Sequence, residues 1–204
     1  MNRHSPSRHI ILPDNNRQYW VIAVPHGCDL PVETFSVAVV GNAQSLFETE
    51  SGTEIDSHDV VIRMNRAAQL MDISPDYEPS HGTRTDIWCM WRHREYENVD
   101  IAEPNSVCQM MWWDETPESG VHQIHTGWFS GRMSPWTPST GMMTLAWLST
   151  LPCTVSVYGF DWKATPTYTD PHRQHDQTSI HNFELEREIC EQYFQASGRY
   201  RFCN

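Results

Sequence analysis

Three separate polar stretches carry side chains whose types and spacing could do chemistry. The first is a histidine group, His172, His175 and His181, three imidazoles within ten residues. The last of them opens the run His181-Asn182-Phe183-Glu184-Leu185-Glu186. An imidazole can take a proton from a sugar hydroxyl at neutral pH, because its ordinary pKa lies close to the working range. The three could also hold a metal, but they lack the i, i+4 pair of a helical zinc motif, and no metal is expected here. The second stretch is Ser139-Thr140-Gly141, where hydroxyls and helix amides converge. With Ser139 or Thr140 as N-cap, backbone amides and the positive end of the helix dipole would face whatever sits before it. The third is Gly41-Asn42 together with Asn65. These amide side chains could bond a base, a ribose or a phosphate, and as isolated asparagines they serve equally well as turn residues.

The elements that must position these groups follow from the apolar pattern. Phe35 to Val40 is a short β-branched run stopped by Gly41, and Asp59 to Ala67 supplies a second apolar beat. Such runs read as buried strands whose C-terminal ends open into a loop and then a helix. In an open parallel sheet that edge is where ligands bind. Ala43 to Phe47 is expected to start a helix, and Gly52 to loop the chain into a strand over Val60 to Met64. Pro75, Pro79 and Gly82 mark a loop between Gln69 and Thr83. Further strands are expected at Ile87 to Trp91, Val107 to Trp113, Val121 to Ile124 and Thr154 to Tyr158. No helix should cross Gly127 to Pro138, which carries two glycines and two prolines. Met142 to Leu151 reads as a helix ended by Pro152, and a polar loop from Asp161 to Ser179 precedes a last helix from Asn182 to Gln195.

Length and composition set the frame. The 204 residues suit one α/β domain, here residues 35–204, with residues 1–34 as an N-terminal arm or extra strand built on the apolar run Tyr19 to Val24. The net charge of -12, from 14 Lys plus Arg against 26 Asp plus Glu, gives no global positive field for nucleic acid or anionic lipid. No run of about 18 apolar residues exists, and Met1 to Asn16 lacks the apolar core of a signal peptide, so a cytoplasmic protein is expected. The six cysteines form no Cys-x-x-Cys pair and are read as buried reduced thiols. Val39-Val40-Gly41-Asn42 has neither Gly-x-Gly-x-x-Gly nor Gly-Lys-Ser/Thr, so a pyrophosphate wrapped by backbone amides is not indicated. Asp86 belongs to no Asp-x-Asp motif and is read as packing or capping at a strand start.

In this order the segments resemble the sialyltransferases of glycosyltransferase family 29. The long sialylmotif matches Val39-Val40-Gly41-Asn42, Gly52, Ile55-Asp56, Asp59, Val61, Arg63, Asn65 and Ala67. The short sialylmotif matches Pro138-Ser139-Thr140-Gly141 with Val155 and Tyr158-Gly159-Phe160. The very short motif matches His181 and Glu186. The resemblance covers about residues 35 to 190.

It implies a single Rossmann-like domain, a GT-A-like variant with a mostly parallel central sheet flanked by helices. It also implies an inverting, metal-independent transfer of sialic acid from CMP-sialic acid to a glycan hydroxyl, with no cofactor. By resemblance Gly41, Asn42 and Asn65 would serve the CMP part of the donor, and Ser139, Thr140 and Gly141 its phosphate or carboxylate. His181 would be the general base, and His175 or His172 a phosphate contact. The family's secretory members carry a disulfide whose cysteines would fall near Val37 and Pro152, and this chain lacks it, which suits a reducing compartment. CMP-Kdo is an alternative donor, and a nucleotide- or glycan-binding protein without turnover an alternative class. The Trp128 to Trp136 loop could stack on the acceptor sugar or form core or lid.

Overall fold

The run Phe35 to Val40 is a central strand in the computed structural model, which describes residues 9–13, 19–23, 35–65, 75–90, 108–111, 121–123, 133, 135–149, 151–168 and 180–203. Near the N-terminus β1 (His9–Pro13) and β2 (Tyr19–Ala23) pair antiparallel as a two-stranded sheet of their own. The main sheet comprises β3 (Phe35–Val40), β4 (Val60–Met64), β5 (Ile87–Met90), β6 (Cys108–Met111), β7 (Val121–Gln123), β8 (Cys153–Tyr158) and β9 (Tyr200–Cys203). Its seven strands run in the order β7-β6-β5-β4-β3-β8-β9, and every neighbouring pair is parallel. The expected α/β sheet is therefore present.

This order has a physical consequence. From β3 the chain steps outward through β4 to β7, then returns to lay β8 on the other side of β3. Ligand crevices form at such a reversal, outside the carboxyl ends of the strands. Alternation along β3 feeds two cores. Phe35, Val37 and Val39 join one with the helix α3 (Thr140–Leu148), while Ala38 and Val40 join another with Leu46 and Ile55. All nine residues of α3 are buried, which explains why its sequence carries no charge.

Several local expectations change. Ala43 to Phe47 gives only a short 3-10 turn, Gln44–Glu48, and the helix falls instead on α1 (Gly52–Asp56), where a loop is expected. Within the Pro-rich 69–83 stretch lies α2 (Glu78–His81), with Pro79 in the first turn, where its missing N–H costs nothing. Helix α3 stops at Leu148, three residues before the position expected from Pro152. The last helix is α4 (Phe183–Ile189), continued by a π-helical turn over Cys190–Phe194 and ended at Gly198 with φ 72°. Strand β9 is not foreseen, because four residues at the chain end give too little period to read.

Candidate functional site

The polar residues meet at the reversal point because glycines let the chain approach itself closely there. Gly41 N donates to Tyr158 O at 2.7 Å, so β3 and β8 stay paired up to their ends. A side chain at Gly41 would collide with the Gly159 carbonyl and lie 2.8 Å from Phe160 Cδ2. A Cβ at Gly141 would lie 2.8 Å from Phe160 Cε1 on the other side of the ring. The Phe160 ring is thus wedged between the end of β3 and the first turn of α3. That wedge fixes where the helix start points, and only glycine at both positions leaves room for it.

Asn65 is held in the left-handed region, φ 50°, a conformation asparagine tolerates better than most residues. Its backbone is pinned by β5: the N–H donates to Cys89 O at 2.8 Å, and its carbonyl accepts from Trp88 Nε1 at 2.7 Å. The turn brings its side chain to Thr140, whose hydroxyl lies 3.5 Å from Asn65 Oδ1. Asn42 lies beside it, with Nδ2 3.5 Å from Met64 O and its own carbonyl accepting from Tyr168 N at 3.0 Å. Gly41, Asn42, Asn65, Thr140 and Gly141 therefore gather at one place, although they come from three separate segments.

Ser139 is the N-cap of α3, its hydroxyl accepting from Met142 N at 3.2 Å. Its own two donors are also taken. Ser139 N and Ser139 Oγ each donate to the Glu186 carboxylate of α4, at 2.7 Å to Oε1 and to Oε2. Glu186 is 2% exposed, and burial pushes its carboxyl up to about 7, against the opposing pull of the Ser139 bonds and Lys163. Its buried position could have been noticed in the sequence: an acid three and four residues before Ile189 and Cys190 lies on an apolar stripe and needs a partner.

The same two segments are joined again just before their helices. Thr137 N donates to Ile180 O at 2.9 Å, and His181 Nδ1 lies 2.6 Å from Thr137 O. A carbonyl only accepts, so Nδ1 carries the proton and Nε2 becomes the proton-accepting nitrogen. Asn182 then caps α4 through its side chain, which accepts from Leu185 N at 3.0 Å. Lys163 approaches from the β8 side, its Nζ 5.4 Å above the Phe183 ring. Trp162 and Lys163 both have positive φ, 57° and 69°, held by Asp161, whose carboxylate accepts from the amides of Lys163 and Thr165. Strain of this kind collects near functional sites.

Other motif residues serve as scaffold. Asp56 accepts from Thr83 N and Oγ1 and from Arg84 N, tying α1 to the segment after α2. Asp59 accepts from Ser36 N and Oγ, joining the start of β4 to β3. Asp86 accepts from Val61 N at 2.8 Å, the strand-start role read from sequence. His172 and His175 lie outside the described residues, as does most of the Trp128 to Trp136 loop. Trp136 itself is exposed, as is Ile180 across the Thr137–Ile180 bond.

Comparisons with known proteins converge on one class. Residues 31–106 match the family described as glycosyltransferase family 29 (sialyltransferase). Over 67 residues the chain is 43% identical to the CMP-N-acetylneuraminate-beta-galactosamide-alpha-2,3-sialyltransferase 1 of Homo sapiens and of Pan troglodytes. The match covers 30% of this chain and 18% of each relative, under a fifth of the relatives' length. In fold, the chain resembles a solved mammalian sialyltransferase with a TM-score of 0.58 and 20% identity, covering 83% of this chain and 69% of the other. A mammalian sialyltransferase in complex with Gal-beta-1-3GalNAc-ortho-nitrophenol gives 0.52 at the same identity and coverage. At that identity the likeness is one of fold. Residues 31–106 thus resemble the sialyltransferase family in sequence, and the chain resembles a mammalian sialyltransferase in fold.

Proposed function

From the premise that this chain resembles glycosyltransferase family 29, in sequence over residues 31–106 and in fold over most of its length, we propose that it transfers sialic acid from CMP-sialic acid to a glycan hydroxyl. The reaction is inverting and uses neither metal nor cofactor. The observation that carries this reading is the pairing of two helix starts. Glu186 holds Ser139 while Thr137 O orients His181, so a proton acceptor and the amides of Thr140 and Gly141 belong to one bonded unit.

In this mechanism Asn42 and Asn65, at the ends of β3 and β4, bind the CMP part of the donor. The acceptor hydroxyl gives its proton to His181 Nε2 as its oxygen bonds to the anomeric carbon from the face opposite CMP. The bond from that carbon to the phosphate oxygen breaks, and CMP departs with the electron pair. Charge grows on the leaving phosphate, where the start of α3 offers preorganised amides and a positive dipole end. Ser139 acts here by positioning, because Glu186 occupies its donors. His175, or His172 in its place, supplies a further phosphate contact.

The relatives' names point to a galactoside as the first acceptor class to try. A cytoplasmic location is part of the proposal. It is supported by Cys153, Cys190 and Cys203, which are free thiols, with burial pushing the Cys153 thiol up to about 11. The test is CMP release from CMP-Neu5Ac and, in parallel, CMP-Kdo, against a glycan panel headed by Gal-beta-1-3GalNAc aryl glycoside, with and without EDTA. Turnover with CMP-Neu5Ac that EDTA leaves unchanged is expected. Turnover with CMP-Kdo alone would replace the donor, and calorimetric CMP binding with no turnover on any acceptor would mark a binding protein.

A further inference from the structure

Among the described residues, four buried side-chain atoms have no hydrogen-bond partner: Asn42 Oδ1, Arg63 Nη1, His81 Nε2 and the Tyr168 hydroxyl. Hydrogen bonds and ring contacts tie their residues into one neighbourhood. Arg63 of β4 stands opposite Val40 in β3, two residues before Asn42. Tyr168 N donates to Asn42 O at 3.0 Å, and Arg63 Nη2 donates to His81 O at 2.5 Å. The His81 and Tyr168 rings meet edge-on at 4.7 Å. Phe47 covers both, 4.5 Å from His81 and 5.6 Å from Tyr168, and Tyr77 lies 5.4 Å and 5.9 Å from the same rings.

The charge in this cluster is unbalanced. Arg63 is 0% exposed, and a guanidinium keeps its proton in proteins. Asp56 and Asp86 favour its charge only through space, because their carboxylates bond to Thr83, Arg84 and Val61. Its side-chain hydrogen bonds go to the carbonyls of Arg84 and His81, which are neutral. A buried cation without a bonded counter-ion is strongly unfavourable, so the site calls for an anion. The polar inventory narrows which kind. Burial pushes the Tyr168 hydroxyl well above its ordinary range, so it stays a donor beside the Arg63 Nη1 donor. Burial first and Arg63 second push His81 down to about 4, so it is neutral, with Nδ1 2.5 Å from Ser80 Oγ. Asn42 Oδ1 is an acceptor and needs a hydroxyl on the ligand.

We infer that Arg63, Tyr168, His81 and Asn42 form a binding site for a tetrahedral oxyanion of the phosphate class, closed over by Phe47 and Tyr77. Hydrogen phosphate offers oxygens to Arg63 Nη1 and the Tyr168 hydroxyl, and its P–OH donates to Asn42 Oδ1. Sulfate at neutral pH has no such hydroxyl and leaves Asn42 unpartnered. Inorganic phosphate has this hydroxyl at neutral pH, and the monoester of a nucleoside monophosphate has it in the monoanionic form taken below a second pKa of about 6. Displacement of bound phosphate by CMP but not by cytidine would identify the monoester as an occupant, and displacement by neither would leave free phosphate. Both outcomes keep the site.

The test uses the full chain in phosphate, sulfate and chloride at matched ionic strength, followed by thermal melting and calorimetry. Phosphate should bind saturably and raise Tm, with sulfate about tenfold weaker. Tyr168→Phe removes one hydroxyl and should weaken phosphate binding about tenfold. In phosphate-free buffer the same variant should melt at or above the wild type, because an unpartnered buried hydroxyl has gone, and the order should reverse in phosphate. The inference is overturned if phosphate gives no saturable effect beyond chloride. It is overturned equally if Tyr168→Phe binds phosphate as tightly as the wild type, or melts lower than it by the same amount in both buffers.

Discussion

Glu186 holds Ser139 by two hydrogen bonds of 2.7 Å, one to the backbone amide and one to the hydroxyl, across 47 residues of sequence. The N-cap of α3 is therefore set by a side chain of α4, and the helix start proposed to face the leaving phosphate moves with the segment that carries His181.

Removing that carboxylate should be costly. Glu186→Ala leaves two half-buried donors without a partner and should lose roughly 1–3 kcal/mol of stability. Chemical denaturation measures it, and a loss within error of zero would mean that Ser139 finds other acceptors.

The same carboxyl gives a pH dependence of stated sign. Its pKa is raised from 4.5 to about 7 by burial. Between those values the folded state keeps a proton that the unfolded chain has lost, so stability is fully present below the lower value and falls as pH rises through the upper one. At 1.36 kcal/mol per unit the whole effect is about 3 kcal/mol at most. Glu186→Gln cannot ionise and should flatten the stability profile between about pH 5 and 7.5. Equal slopes in variant and wild type would contradict the assignment.

Gly141→Ala sets two effects against each other. Helix propensity favours alanine by roughly 1 kcal/mol. The added Cβ would lie 2.8 and 2.9 Å from two Phe160 ring atoms, and overpacking of that kind costs about 1–3 kcal/mol. A net loss of stability is expected, relieved in a Phe160→Ala background, with a coupling of about 1 kcal/mol in the double-mutant cycle. Simple additivity would show that the wedge is not rigid.

Asn65→Gly separates backbone from side chain. Glycine accepts φ 50° without strain, so stability should change by less than about 1 kcal/mol. Calorimetric affinity for CMP should fall about tenfold if the amide contacts the nucleotide. Unchanged affinity would remove Asn65 from the donor site.

Much of this arrangement was legible in the sequence for physical reasons. Phe35 to Val40 and Val60 to Met64 are β-branched runs with sharp stops, and they are strands within those limits. Ser139 was readable as a cap because its hydroxyl precedes uncharged helix formers. What stayed hidden depends on distance in space. Neither the Glu186–Ser139 pair nor the Phe160 wedge leaves a local period, since each joins segments that meet only after the sheet has reversed direction. Strand β9 was missed for the opposite reason: its four residues carry too little pattern of their own and are ordered by pairing with β8. The cluster around Arg63 was concealed inside a motif whose residue types suggested a strand and nothing more.

His181, oriented by Thr137 O, is the proposed base of a sialyl transfer. The most direct measurement is the initial rate of CMP release from CMP-Neu5Ac, with an acceptor that the wild type uses, for wild type and His181→Ala, alongside calorimetric CMP affinity for both. His181→Ala should lose about 10²–10⁴ in rate with CMP affinity within a factor of about two, because the base acts on the acceptor proton and not on the nucleotide. A variant that keeps the wild-type rate would contradict it.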